Sequence, residues 1–140
     1  EHIEHHTRFP TTPRGSVTEG VVRQLRVGYG FCLLLKDGLL IVIEEPFNLS
    51  TVTGTVLVPP GEKVYEVDAA LPLFNQRAER IEASASGELR ITFESGATID
   101  VGANDRYENW QIVAPDGRQW IGLPGGGVTS FPAASSDTAG

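Results

Sequence analysis

The sequence predicts an α+β fold that is predominantly antiparallel β-sheet, with three hairpins and one short helix near residues 69–76. Leu89, Ile91 and Phe93 alternate with polar residues, which is the period of a half-buried strand. The content of 16 Gly and 9 Pro favours many short strands joined by turns. Three such turns share one pattern: Lys36-Asp37-Gly38, Glu94-Ser95-Gly96 and Pro115-Asp116-Gly117. A curved sheet, a partly closed barrel and two packed layers all fit this pattern.

The segment from Tyr107 to Phe131 holds both tryptophans and the only triple glycine. Trp110 lies on the first arm of the predicted hairpin and Trp120 on the second, so the two rings are expected to meet across it. The loop 124–127 resembles a phosphate-binding loop in its glycines alone. Neither a lysine nor a helix follows it, so it is interpreted as a tight connection to a last strand, Val128–Phe131.

One segment favours a helix. Asp68 is a suitable N-cap, and Ala70, Leu71 and Phe74 follow at helical spacing. Proline is tolerated in the first turn of an α-helix, so Pro72 places the predicted start near residues 69–71. We expect this short helix to cover one face of the sheet.

The predicted organisation is a disordered N-terminal arm over residues 1–16, a single β-rich domain over 17–131 and a disordered C-terminal tail over 132–140. The arm is polar and broken by prolines, and it carries every histidine of the chain: His2, His5 and His6. Histidines at this spacing also suit a metal-binding arm, which is the alternative interpretation. The tail consists of small and polar residues.

Charge and composition narrow the class of partner. The net charge of −7 argues against nucleic acid and against anionic membrane surfaces as partners. No apolar run is long enough to span a membrane. The single cysteine, Cys32, excludes an internal disulfide and favours a reducing compartment, so a cytoplasmic location is expected. Cys32 lies in an apolar run and is interpreted as a small buried side chain rather than a reactive thiolate.

The predicted domain contains no histidine, which excludes Ser-His-Asp and Cys-His catalysis and most catalytic zinc sites unless the arm folds back. Oxygen ligation of Mg²⁺ or Ca²⁺ stays open, with Asp105, Glu108 and Asp116 as the nearest candidates. Acidic residues in loops are usually only solvated. The expectation is therefore a protein that is not an enzyme and has no cofactor or resident metal.

The C-terminal half carries five recognisable stretches: Ile91 to Gly96, Tyr107 to Ile112, Pro115-Asp116-Gly117, Leu123 to Gly126 and Phe131. In these residues it resembles a family of small bacterial proteins of unknown function, mostly from high-GC Gram-positive bacteria. The stretch Tyr29 to Leu49 is similar to the N-terminal half of the same family, so the likeness covers residues 20–131. The resemblance implies an α+β fold and no established activity, and some relatives are suspected immunity proteins.

Three functions are weighed. The leading hypothesis is binding of a protein partner, including a toxin-neutralising role, with a homodimer that shares a sheet edge as a special case. The alternative is a small-molecule site lined by aromatic residues: Tyr29, Tyr107, Trp110 and Trp120. The third is a hydrolase that uses carboxylates and a divalent ion.

Overall fold

The computed structural model describes residues 6–9, 20–27, 30–58, 64–102, 109–123 and 127–131. Within these ranges, the side chains of residues 6–9, 27, 64–67 and 131 are not described. One 3-10 helix, Val64–Leu73, interrupts a series of twelve strands. The strands are β1 (His6–Phe9), β2 (Val22–Val27), β3 (Phe31–Leu35), β4 (Leu40–Ile43), β5 (Phe47–Thr51), β6 (Gly54–Val58), β7 (Ala78–Ser84), β8 (Leu89–Phe93), β9 (Thr98–Val101), β10 (Trp110–Val113), β11 (Gln119–Gly122) and β12 (Val128–Phe131).

The described strands form two antiparallel sheets of six strands each. The first sheet has the order β1-β7-β8-β9-β5-β6, and the second has the order β12-β11-β10-β4-β3-β2. Neither sheet closes on itself, so of the three predicted architectures the structure has two layers. Antiparallel β-structure is confirmed as the dominant feature, whereas the helical part of the α+β prediction is limited to the 3-10 segment.

The three predicted hairpin turns are confirmed, and a fourth has the same geometry. The four turns begin at Leu35, Ser84, Phe93 and Ala114. In each, the carbonyl of the first residue accepts a hydrogen bond from the amide of a glycine three positions later, and its amide donates one to the carbonyl four positions later. The glycine has a positive φ in every case: Gly38, Gly87, Gly96 and Gly117. Glycine adopts that conformation without steric cost, which explains why a local pattern was sufficient to locate these turns.

The two sheets share one hydrophobic core. Alternate residues of β3, β8 and β10 are buried, as the period of two predicts. Phe31 of the second sheet and Phe47 of the first approach with ring centroids 5.2 Å apart, so the layers are in direct contact. Trp110 adds a polar link, because its buried indole N–H donates to the carbonyl of Gly87 in the first sheet at 2.9 Å.

The predicted helix is present, but its type and buried face differ from the prediction. It is a 3-10 helix that begins at Val64, and Pro72 lies in its last turn instead of its first. Ala70 and Leu73 are buried while Leu71 and Phe74 are exposed. A 3-10 helix has three residues per turn, so residues i and i+3 share a face. The α-helical spacing was therefore right for Ala70 and wrong for Leu71 and Phe74.

Within the predicted N-terminal arm, His6–Phe9 form a strand that pairs antiparallel with β7, with Arg8 opposite Glu82. A short segment flanked by proline and polar residues carries too weak a pattern to reveal a strand that depends on a distant neighbour. The remainder of the predicted arm and the tail 132–140 lie outside the described residues. No helix in the part of the chain that the structure describes is long and apolar enough to cross a membrane.

Candidate functional site: the edge strand β6

The large apolar side chains that are exposed in the described residues lie in one stretch, between residues 52 and 74. They are Val52 (96% exposed), Val56 (46%), Leu57 (65%), Leu71 (51%) and Phe74 (54%). The first three belong to the β5–β6 hairpin, and the last two belong to or directly follow the 3-10 helix, which packs against β6. We call these five residues the apolar edge. Apolar groups concentrated in one part of a surface are typical of interaction sites.

β6 also presents unpaired backbone groups, because it is the last strand of the first sheet. Thr51 pairs with Gly54 across a loop of two residues. Thr51 and Gly54 must form a hydrogen-bonded pair. If they were a non-hydrogen-bonded pair, the next pair along the ladder, the adjacent loop residues Val52 and Thr53, would have to bond to each other. Hydrogen-bonded pairs alternate along an antiparallel ladder. Val56 and Val58 therefore bond to β5, while the N–H and C=O groups of Thr55 and Leu57 point outward.

No charged residue occurs between residues 46 and 61, although the chain carries a net charge of −7. Four of the five residues of β6 are exposed. By contrast, β2, at the corresponding end of the second sheet, exposes Arg23 and Arg26. Charged residues on an edge strand oppose pairing with another chain. β2 carries this protection and β6 does not.

Side-chain hydrogen bonds hold the β5–β6 hairpin in shape. The hydroxyl groups of Ser50 and Thr55 lie 2.9 Å apart across the two strands. At the loop, the hydroxyls of Thr51 and Thr53 are also 2.9 Å apart, and Thr51 accepts a bond from the Thr53 amide at 3.3 Å. An edge ordered before binding loses less conformational entropy when a partner strand is added.

A cleft of about 420 Å³ lies at one end of the first sheet. Glu82, Arg90, Asp100 and Asn48 form one cross-strand row along it. Arg90 donates two hydrogen bonds to Asp100, at 2.6 and 3.2 Å, and this contact raises the pKa of Arg90. Arg90, the positively charged residue that lines the cleft, is therefore already paired with Asp100, which argues against an anion-binding site there.

The aromatic residues of the predicted small-molecule site that the structure describes, Trp110 and Trp120, differ in burial and in contacts. Trp110 is buried in the core, and its indole N–H is bonded to Gly87. Trp120 is half-buried beside the core, and the Arg118 guanidinium lies 5.3 Å from its ring. Ile112 is directly opposite Trp120, so the two tryptophans share a face of the sheet two positions apart. Tyr29 and Tyr107 lie outside the described residues.

Of the predicted metal ligands, Asp105 and Glu108 lie outside the described residues. Asp116 accepts bonds from the Arg118 backbone and guanidinium at 3.0 and 2.9 Å, and the backbone bond is the main reason that its pKa is lowered. This carboxylate therefore closes its own turn. Among the residues that the structure describes, no cluster of three or more His, Cys, Asp or Glu side chains could hold a metal ion.

Two other predicted features have structural roles in the described part of the chain. Cys32 is half-buried, and burial raises the pKa of its thiol, which disfavours the reactive thiolate. Gly127 has a positive φ and accepts a bond from the Leu123 amide, and β12 follows it directly. The last strand, Val128–Phe131, is thus as predicted, while Pro124, Gly125 and Gly126 of the predicted connection lie outside the described residues.

Sequence reasoning located a β-favouring run between Asn48 and Val58 but did not identify it as a functional surface. The signal that could have done so is the uncharged segment 46–61 in an acidic chain. Its position at a sheet edge depends on strand order, which the local pattern does not encode.

The comparisons with known proteins identify a family but no activity. The model of a family described as "Family of unknown function (DUF6188)" matches residues 13–132. No curated protein and no solved structure matches the chain. The expected membership in a family of unknown function is confirmed, and no relative supplies a partner or substrate.

Proposed function

This chain belongs to DUF6188, a family of unknown function, and we propose that it is a non-catalytic protein that binds an extended strand of a protein partner along β6. The observation that carries the proposal is the coincidence of free outward backbone groups with an uncharged, apolar edge. In β-sheet augmentation, main-chain hydrogen bonds supply affinity, and alternate side chains supply specificity. β6 offers both.

The side chains around β6 indicate the chemistry of the partner strand. Leu57 projects from the outer face of the first sheet, on the same side as Asn48, its neighbour on β5. Val56 projects toward the core side, beside the helix that exposes Leu71 and Phe74. A partner strand with an apolar residue facing Val56 and a small or polar residue facing Leu57 would cover the apolar edge. Some relatives in the family that the sequence resembles are suspected immunity proteins, so a toxin is one class of partner that this surface would serve.

Leu57→Lys tests the proposal, because it adds a charge to the edge without removing a core contact. Leu57 is exposed, so the variant should fold with a free energy of unfolding within about 0.5 kcal/mol of the original. The immobilised protein is incubated with a lysate of the source cell. That lysate also contains a tagged copy of the chain, so binding of a second copy can be detected. We expect Leu57→Lys to lose the proteins that the unmodified chain retains.

The matched control is Ser130→Lys, which adds the same charge to an exposed position on β12, an edge strand of the other sheet. This variant should retain the same proteins as the unmodified chain. Equal capture by Leu57→Lys and the unmodified chain would contradict binding along β6.

A further inference from the structure

We infer that the strand that occupies β6 is the β6 strand of a second copy of this chain, paired antiparallel about a two-fold axis at Val56. This inference rests on the proposed function and names its partner.

The outward groups of β6 are complementary to themselves. Thr55 and Leu57 flank Val56 symmetrically, and both present their N–H and C=O groups to the free edge. When Val56 lies opposite the partner's Val56, Thr55 lies opposite the partner's Leu57. The pattern of an antiparallel ladder then makes both Thr55–Leu57 pairs hydrogen-bonded ones, so four backbone bonds form. Two-fold pairing of one patch with itself is the commonest symmetry of soluble oligomers.

The same register matches side chains. The two Val56 side chains meet as a non-hydrogen-bonded pair, in which side chains are closest. On the outer face, Leu57 packs against the methyl group of the partner's Thr55, and the Thr55 hydroxyl is already bonded to Ser50. The helix that carries Leu71 packs against β6, so in each copy it would lie close to the paired strands.

Charge leaves this edge, like the uncharged edge strand β12, open to pairing between two copies, and the exposed Val56 and Leu57 distinguish β6 from β12. Each copy carries −7, so most surface pairings would bring acidic groups together. The segment 46–61 is uncharged, and the ladder of three residues from Thr55 to Leu57 is only about 10 Å long. Two copies can therefore pair along β6 without placing like charges directly opposite each other, which is the arrangement that destabilises cross-strand pairs.

Light scattering of the full chain over a range of concentrations tests this inference. The unmodified chain should approach twice its mass of 15.1 kDa as concentration rises. Leu57→Lys should stay near 15.1 kDa, and Ser130→Lys should behave like the unmodified chain. Circular dichroism confirms that each variant is folded.

The register has its own test in a mixture of two variants. Leu57→Lys places a cation opposite the partner's Thr55, so Thr55→Glu in the other copy supplies a facing carboxylate. We expect each variant alone to be monomeric and the mixture to regain the doubled mass at low salt. An unmodified chain that stays monomeric overturns the inference, and so does a dimer that survives Leu57→Lys. If the unmodified chain is monomeric and Leu57→Lys abolishes the capture of another protein, the second copy is ruled out as the partner. The proposed function, binding of a partner strand along β6, then stands.

Discussion

Gly122→Ala is expected to lower the free energy of unfolding by about 3 kcal/mol, the upper end of the usual range for an overpacked core. A methyl group at this position would overlap Asn109 Oδ1 and lie 2.5 Å from Trp110 Nε1. Both neighbours are buried, and the Asn109 amide is bonded to the carbonyl of Gly102, so neither can move aside cheaply. Urea unfolding followed by circular dichroism measures the change.

Gly102→Ala is the matched control, because a Cβ atom at that position meets nothing within 4 Å. Its effect should stay within about 0.5 kcal/mol. Combining Gly122→Ala with Trp110→Phe provides a second check, since the smaller ring leaves space for the added methyl group. The overlap with Asn109 Oδ1 remains in the double variant, so its loss should fall below the sum of its parts only by the share that the indole causes, and additive losses would assign the overlap to Asn109.

Trp110→Ala is expected to cost about 3–5 kcal/mol of stability, the range for removing a large aromatic side chain from a core. The loss combines a cavity with a broken tie between the layers, because the indole N–H is bonded to Gly87 of the first sheet. Such a loss is a large fraction of the stability of a typical domain, about 5–15 kcal/mol. The midpoint of urea unfolding should fall sharply.

Trp120→Ala is the comparison for that result, since it removes the same side chain from the neighbouring strand on the same face. Trp120 is only half-buried, so less apolar area is lost and less destabilisation is expected. Equal losses for the two tryptophans would contradict the assignment of Trp110 as the link between the layers.

The turns could be predicted from sequence because their cause is local. A glycine with a positive φ, as at Gly38, Gly96 and Gly117, is required by the turn itself wherever the chain lies in the fold. The Asp37 and Asp116 side chains accept bonds from backbone amides two residues further on, which reinforces the same signal. Three hairpins followed from these few residues.

The rest of the fold depends on contacts between distant segments. The strand order brings β10 beside β4 and β5 beside β9, and no local pattern encodes either neighbour. The helix shows the same limit. Pro72 and the apolar spacing indicated an α-helix, yet packing selected a 3-10 helix and buried Leu73 in place of Leu71.

The sequence favoured the kind of site that we propose but could not locate it. An acidic domain without histidine pointed to binding rather than catalysis, and exposed strand edges were expected to serve it. The aromatic residues singled out by type were less informative, because Trp110 belongs to the core. Val56 and Leu57 do not differ in residue type from core residues, and the strand order is what exposes them.

Hydrogen exchange of four amides in β6 tests most directly whether another strand pairs with this edge. The Val56 and Val58 amides face β5, so they should be protected at every concentration. The Thr55 and Leu57 amides should exchange rapidly in dilute protein and slowly once the chain is concentrated, and Leu57→Lys should abolish that change. Rapid exchange of the Thr55 and Leu57 amides at all concentrations, and in any complex captured from lysate, would contradict the pairing of β6 with another chain.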